Sequence, residues 1–175
     1  QSATAVALQK AVREYHAPAG FIMVMSVRSG AIVAASDYVE GKTSSAMAEA
    51  NTPYEVGSVM KPLLVAAALN EGKITPSFTY YDADKVTIDG RMIVNAAPHG
   101  AGQKSLEDII VLSLNTGAVH VLQSMGGDNL GTHTRDLWNE YLTDRYSFGS
   151  AGFAAGGIDK VGTVPPVGIP DARYR

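Results

Sequence analysis

Tyr54-Glu55-Val56-Gly57-Ser58-Val59-Met60-Lys61-Pro62 is the stretch that decides how this chain is read. It precedes LLVAAALN, a run of strong helix formers closed by Asn70 and Gly72, so Ser58 falls at a predicted helix start. Residues three apart on a helix share a face, which brings the Lys61 amine within reach of the Ser58 hydroxyl. A serine hydroxyl is a weak nucleophile and needs a base. Lysine can be that base only where burial or neighbouring cations lower its pKa from about 10.4. The helix N-terminus favours developing negative charge beside the serine. Nucleophile, base and partial oxyanion support together make an acyl-transfer site. S-x-x-K alone is also what a helix cap followed by a solvated lysine looks like, so its surroundings have to decide.

Upstream, SATAVALQKAVREYH (2–16) has no internal Gly or Pro and predicts a helix, with Ser2 or Thr4 as cap and Pro18 and Gly20 closing it. FIMVMSV, RSG and AIVAAS then read as a β-hairpin. Its near-continuous apolarity predicts cover on both faces, with Met23 and Met25 in the core. Residues 37–53 read as loop. Downstream, residues 74–105 read as loops with short strands and turn residues such as Asp84. Ser105 with Asp108 makes an imperfect capping box for a helix through SLEDIIVLSLN. TGAVHVLQSMGG predicts a helix ending at Gly126 and Gly127, and 129–145 another around Leu137, Trp138 and Tyr141. The tail from 147 is rich in Gly and Pro and reads as extended loop. An isolated two-stranded hairpin is marginal, so further strands are expected from a segment or a second chain that completes the sheet.

The 175 residues suggest one domain, and 46% hydrophobic with 18% charged residues is a globular balance. A net charge of −3 leaves no footprint for nucleic acid. The absence of cysteine excludes disulfides, thiolate metal sites and a cysteine nucleophile. No apolar run approaches the roughly 18 residues of a membrane span.

The string from Tyr54 to Pro62 resembles the Y-E-x-G-S-x-x-K-P segment of penicillin-binding proteins. Ser113-Leu114-Asn115 fits that family's second motif, S-x-N, within VLSLNTGAVHVLQSMG. SGAIVAAS resembles its first hairpin, and Gly157-Ile158-Asp159 with Val164-Pro165-Pro166 the loop after its helical block. The chain is identified as a member of the superfamily of serine D,D-peptidases and β-lactamases, over nearly its whole length. The resemblance implies an α/β (α+β type) fold, β-lactamase/transpeptidase-like: an antiparallel sheet with an N-terminal helix and a helical subdomain. It implies that Ser58 attacks a D-alanyl-D-alanine stem peptide and Lys61 takes its proton. Ser113 relays a proton to the departing amine, and Asn115 holds the substrate and orients Lys61. No cofactor or metal is implied. The implied partners are peptidoglycan stem peptides and β-lactam antibiotics, the latter covalent at Ser58, in the extracytoplasmic bacterial envelope. A membrane anchor is implied for a full-length protein and is not seen in this sequence.

The family's third motif, K-(S/T)-G, is not found. Lys160-Val161-Gly162 has valine in place of the hydroxyl and lies before the expected position. The expectation is therefore an incomplete transpeptidase domain over 1–175, ending before the third-motif strand. Losing the oxyanion donor of that strand costs about 10²–10³ in rate. A D,D-carboxypeptidase, a β-lactam sensor and a non-catalytic scaffold are the alternatives.

Other signals point elsewhere only weakly. Lys42-Thr43 ends like a phosphate loop, but Ser36 stands where the first glycine is required. His16, His99, His120 and His133 lack metal-ligand spacing. Val56 and Met60 fill the glycine places of a hydrolase elbow. A class A β-lactamase needs aspartate where Leu114 stands and a glutamate in E-x-x-L-N, which Glu140 does not match. Asp37, Asp84, Asp89 and Glu107 show no paired arrangement.

Overall fold

A computed structural model describes residues 2–41, 56–127 and 130–148. The chain divides into two compact units, one containing the described residues 2–41 and the other containing 56–127 and 130–148. The family's mixed α and β architecture is present, with every strand pair antiparallel.

In the first unit, helix α1 (Ser2–Glu14) precedes strands β1 (Ala19–Met25) and β2 (Ile32–Val39). The strands pair from Ala19 opposite Val39 to Met25 opposite Ile32, with an irregularity between Val24 and Met25. Leu8 and Val12 of α1 are buried. Gly20 is not a helix stop. It lies in β1, where a Cβ would stand 3.3 Å from Leu8 and 3.6 Å from Val12, so its missing side chain lets helix and strand approach. The chain turns instead at His16, at φ 50°. Thr4 is likewise not a cap: it lies inside α1 and its hydroxyl shares a 2.6 Å hydrogen bond with Ser36.

The expectation of a hairpin covered on both faces fails. Val24, Met25 and Val33 are 42%, 57% and 63% exposed, and Met25 is no core residue. Apolar composition alone cannot distinguish a ribbon packed on one side, here by α1, from one packed on both. No helix of the described residues is long and apolar enough to cross a membrane.

The second unit starts with a 3-10 turn (Gly57–Met60) that runs directly into α2 (Lys61–Asn70). Four short strands follow: β3 (Thr79–Asp82), β4 (Lys85–Ile88), β5 (Arg91–Val94) and β6 (Gly102–Ser105). β3 pairs with β6 and β4 with β5. The β4–β5 turn is Asp89-Gly90, both at positive φ, the geometry that a two-residue hairpin prefers. Among the described residues three further helices follow: α3 (Leu106–Val111), α4 (Asn115–Gly126) and α5 (Thr132–Glu140), the last continued by a π turn (Tyr141–Arg145).

The capping box is complete. Ser105 accepts the Asp108 N–H, and the Asp108 carboxylate accepts the Ser105 N–H. Gly127 closes α4 at φ 69°. The core unites Leu64, Val65, Ala67 and Ala68 of α2 with Ile109, Leu114, Val121, Met125 and Tyr141. Trp138 packs against it as a partly buried anchor. Lys42-Thr43, the Tyr54-Glu55 end of the first motif and the segments around 157–166, Lys160-Val161-Gly162 among them, lie outside the described residues.

Candidate functional site

Gly57 and Ser58 begin the site. Gly57 sits at φ 61°, a left-handed conformation that costs a residue with a Cβ roughly 1–2 kcal/mol. The following turn is 3-10 rather than α. Residues three apart eclipse in a 3-10 helix, so Ser58 and Lys61 align more directly than on an α-helix. Pro62 falls in the first turn of α2, where its missing N–H costs little. Ser58 is exposed, whereas Lys61 is buried.

The second side of the site is the junction of α3 and α4. Ser113 has φ 55°, a strained value for a non-glycine residue. Leu114 is fully buried. It is driven into the core between its two polar neighbours and leaves Ser113 and Asn115 directed at the lysine. Read from sequence, position 114 counted only as a missing aspartate. The structure makes it the anchor of the loop.

All four sequence-derived site residues meet at the Lys61 amine. Nζ lies 3.0 Å from Ser58 Oγ, 3.0 Å from Ser113 Oγ, 2.6 Å from the Ser113 carbonyl and 2.7 Å from Asn115 Oδ1. The four oxygens are neutral, and burial lowers the Lys61 pKa from its ordinary 10.5. The two shortest contacts go to oxygens that can only accept. The two at 3.0 Å go to hydroxyls, which can also donate. A neutral amine has two N–H donors and one lone pair. Spending both donors on the Ser113 carbonyl and Asn115 Oδ1 leaves the lone pair to the hydroxyls. The arrangement can therefore take a proton from Ser58 and pass one through Ser113.

Behind this corner lies a buried polar cluster that the sequence reading missed. Asp82 is fully buried at the end of β3. Its Oδ2 accepts from Thr116 Oγ1 at 2.9 Å, Asn95 Nδ2 at 3.0 Å and Tyr80 Oη at 3.1 Å, and its Oδ1 from the Asp84 N–H at 2.8 Å. Burial alone would raise the Asp82 pKa, but these bonds outweigh it and hold the carboxyl below the usual range. Burial, with the Asp82 charge nearby, pushes the Tyr80 hydroxyl up to about 12. A signal was available: T-Y-Y-D in a strand puts Tyr80 and Asp82 on one face, so burying one buries the other.

The remaining candidates lie elsewhere. His120 packs against Tyr80 in a tilted ring pair with centroids 4.8 Å apart, and burial lowers its pKa. Glu140 forms a 3.8 Å surface ion pair with Arg145. The His99 N–H donates to Asp84 at 3.3 Å.

The sequence profile of the penicillin binding protein transpeptidase domain matches residues 20–152. Among solved structures the chain is similar to a peptidoglycan glycosyltransferase from Burkholderia ambifaria, at 27% identity and TM-score 0.71 over 93% of this chain and 48% of that one. It is similar to the apo TP domain of Burkholderia pseudomallei penicillin-binding protein 3, at 26% identity and TM-score 0.73 over 95% and 45%. A peptidoglycan synthetase from Bifidobacterium adolescentis matches at 25% identity and TM-score 0.72, over 97% and 31%. No curated protein matches the chain. The chain spans less than half the length of each of these three structures.

Proposed function

Because the chain belongs to the penicillin-binding protein transpeptidase family, we propose that it takes part in peptidoglycan cross-linking as a serine D,D-transpeptidase, outside the cytoplasm. The observation that carries the reading is the buried Lys61 amine 3.0 Å from an exposed Ser58 hydroxyl. Ser58 Oγ forms a bond to the carbonyl carbon of the penultimate D-alanine while its proton passes to Lys61 Nζ. The peptide C–N bond breaks, and the departing D-alanine amine takes a proton through Ser113. The resulting ester is resolved by an amine of a neighbouring stem peptide, which yields a cross-link, or by water. Asn115 holds the substrate and orients Lys61. A β-lactam acylates the same oxygen.

The test is intact mass after incubation with a penicillin. One adduct on the chain and none on Ser58→Ala supports the proposal. No adduct on the folded chain defeats the reading that these residues suffice for acylation.

A further inference from the structure

On the acyl-transfer reading, Asn115 serves Lys61 only with its amide oxygen turned toward the amine. The two ends of an amide have nearly the same shape, and the wrong end offers N–H donors where an acceptor is wanted. Two tethers fix the choice. Asn115 Nδ2 donates to the Val94 carbonyl at 2.8 Å, which leaves Oδ1 facing Lys61 Nζ. The adjacent Thr116 is held at its N–H and its hydroxyl: the N–H donates to Asn95 Oδ1 at 3.2 Å and the hydroxyl lies 2.9 Å from Asp82 Oδ2.

Asn95 closes the loop by donating to the same Asp82 oxygen. One buried carboxylate therefore grips Asn95, next to the carbonyl that orients Asn115, and Thr116, next to Asn115 itself. Helix α4 has no side-chain cap of its own, with Leu114 at the N-cap. Asn95 satisfies one of its first N–H groups from across the chain, and the Asp82 charge stands at the end the helix dipole favours for an anion.

We propose that Asp82 is a positioning residue for acyl transfer, acting through Thr116 and Asn95 to fix the orientation of the Asn115 amide at Lys61. This rests on the transpeptidase reading for its consequence, but not for its geometry.

The test uses the 175-residue chain with Asp82→Asn, Thr116→Val and Thr116→Ser. Two readouts are followed: penicillin acylation per folded molecule, and titration of Lys61 by NMR of its ε-methylene. Thr116→Val removes the hydroxyl and keeps the shape. It is expected to slow acylation about tenfold or more by misplacing the amide. It is also expected to move the Lys61 midpoint to lower pH, because the ammonium loses an acceptor. Thr116→Ser keeps the hydroxyl and is expected to preserve both. Asp82→Asn is expected to behave like Thr116→Val; should it not fold, the Thr116 pair decides.

A folded Thr116→Val with unchanged Lys61 midpoint and unchanged acylation overturns the proposal, whatever its stability. If the unvaried chain is not acylated, the reading that these residues suffice for acylation falls, and the Lys61 midpoint alone still decides whether Asp82 positions Asn115.

Discussion

The two sides of the site are built by different means. Ser58 and Lys61 are three residues apart and meet through one 3-10 turn. Ser113 and Asn115 reach the same amine from more than fifty residues away, and depend on a buried leucine and a buried carboxylate cluster. The first side is local geometry that a short sequence encodes. The second is tertiary, and every element that packs against α4 shares in it. On the proposed reading the nucleophile and its base therefore sit on the first side, whereas sensitivity to packing concentrates on the second.

Lys61→Met breaks the local side most severely. It removes the base and keeps an unbranched side chain. Acylation by a fluorescent penicillin is expected to fall by about 10²–10⁴. The fold is expected to survive, because the change removes a buried ionisable group and strands no opposite charge. An acylation rate within threefold of the unvaried chain would remove Lys61 from the chemistry.

Packing separates the two sides next. Leu114→Ala empties a fully buried position and is expected to cost about 2–5 kcal/mol in a urea titration. Val59→Ala, in the nucleophile turn at 69% exposure, is expected to change stability by no more than about 0.5 kcal/mol. Equal losses would mean that the loop around Ser113 is not anchored through Leu114. Gly57→Ala falls between them. A Cβ there meets nothing within 4 Å, so the expected loss of about 1–2 kcal/mol is the left-handed backbone alone.

This division also explains what the sequence made legible. Ser58, Lys61, Ser113 and Asn115 stand out in the sequence because their motifs are short strings with fixed spacing, and the structure brings the four together. The capping box at Ser105 and the closing Gly127 stand out for the same reason. What stayed hidden depends on contacts between distant segments. Asp82, at the end of a short strand, looks like an ordinary polar residue until Thr116 and Asn95 are seen around it. The hairpin β1–β2 failed in the opposite way. Its apolar run was read as doubly covered, yet exposure is a property of what packs against a strand and not of the strand itself. Gly20 was misread as a stop because a glycine that admits a neighbouring helix looks like one that bends the chain.

The smallest expected effect is on the pH dependence of stability, and it isolates the burial of Lys61. The amine has a folded-state pKa below its ordinary 10.5, lowered by burial. Below that folded value both folded and unfolded chains carry the charge, and the folded chain bears the full cost of burying it. As pH rises from the folded value toward 10.5, the folded chain has released its proton while the unfolded chain still holds one. The unfolded state then binds more protons, so Lys61 makes the fold more stable as pH rises through this window. Urea midpoints of the chain and of Lys61→Met, compared from neutral to alkaline pH, read this directly. The difference is expected to move in favour of the unvaried chain across the window. A difference that stays flat would mean that the amine stays charged in the fold, and Lys61 would then have no lone pair for Ser58 at neutral pH.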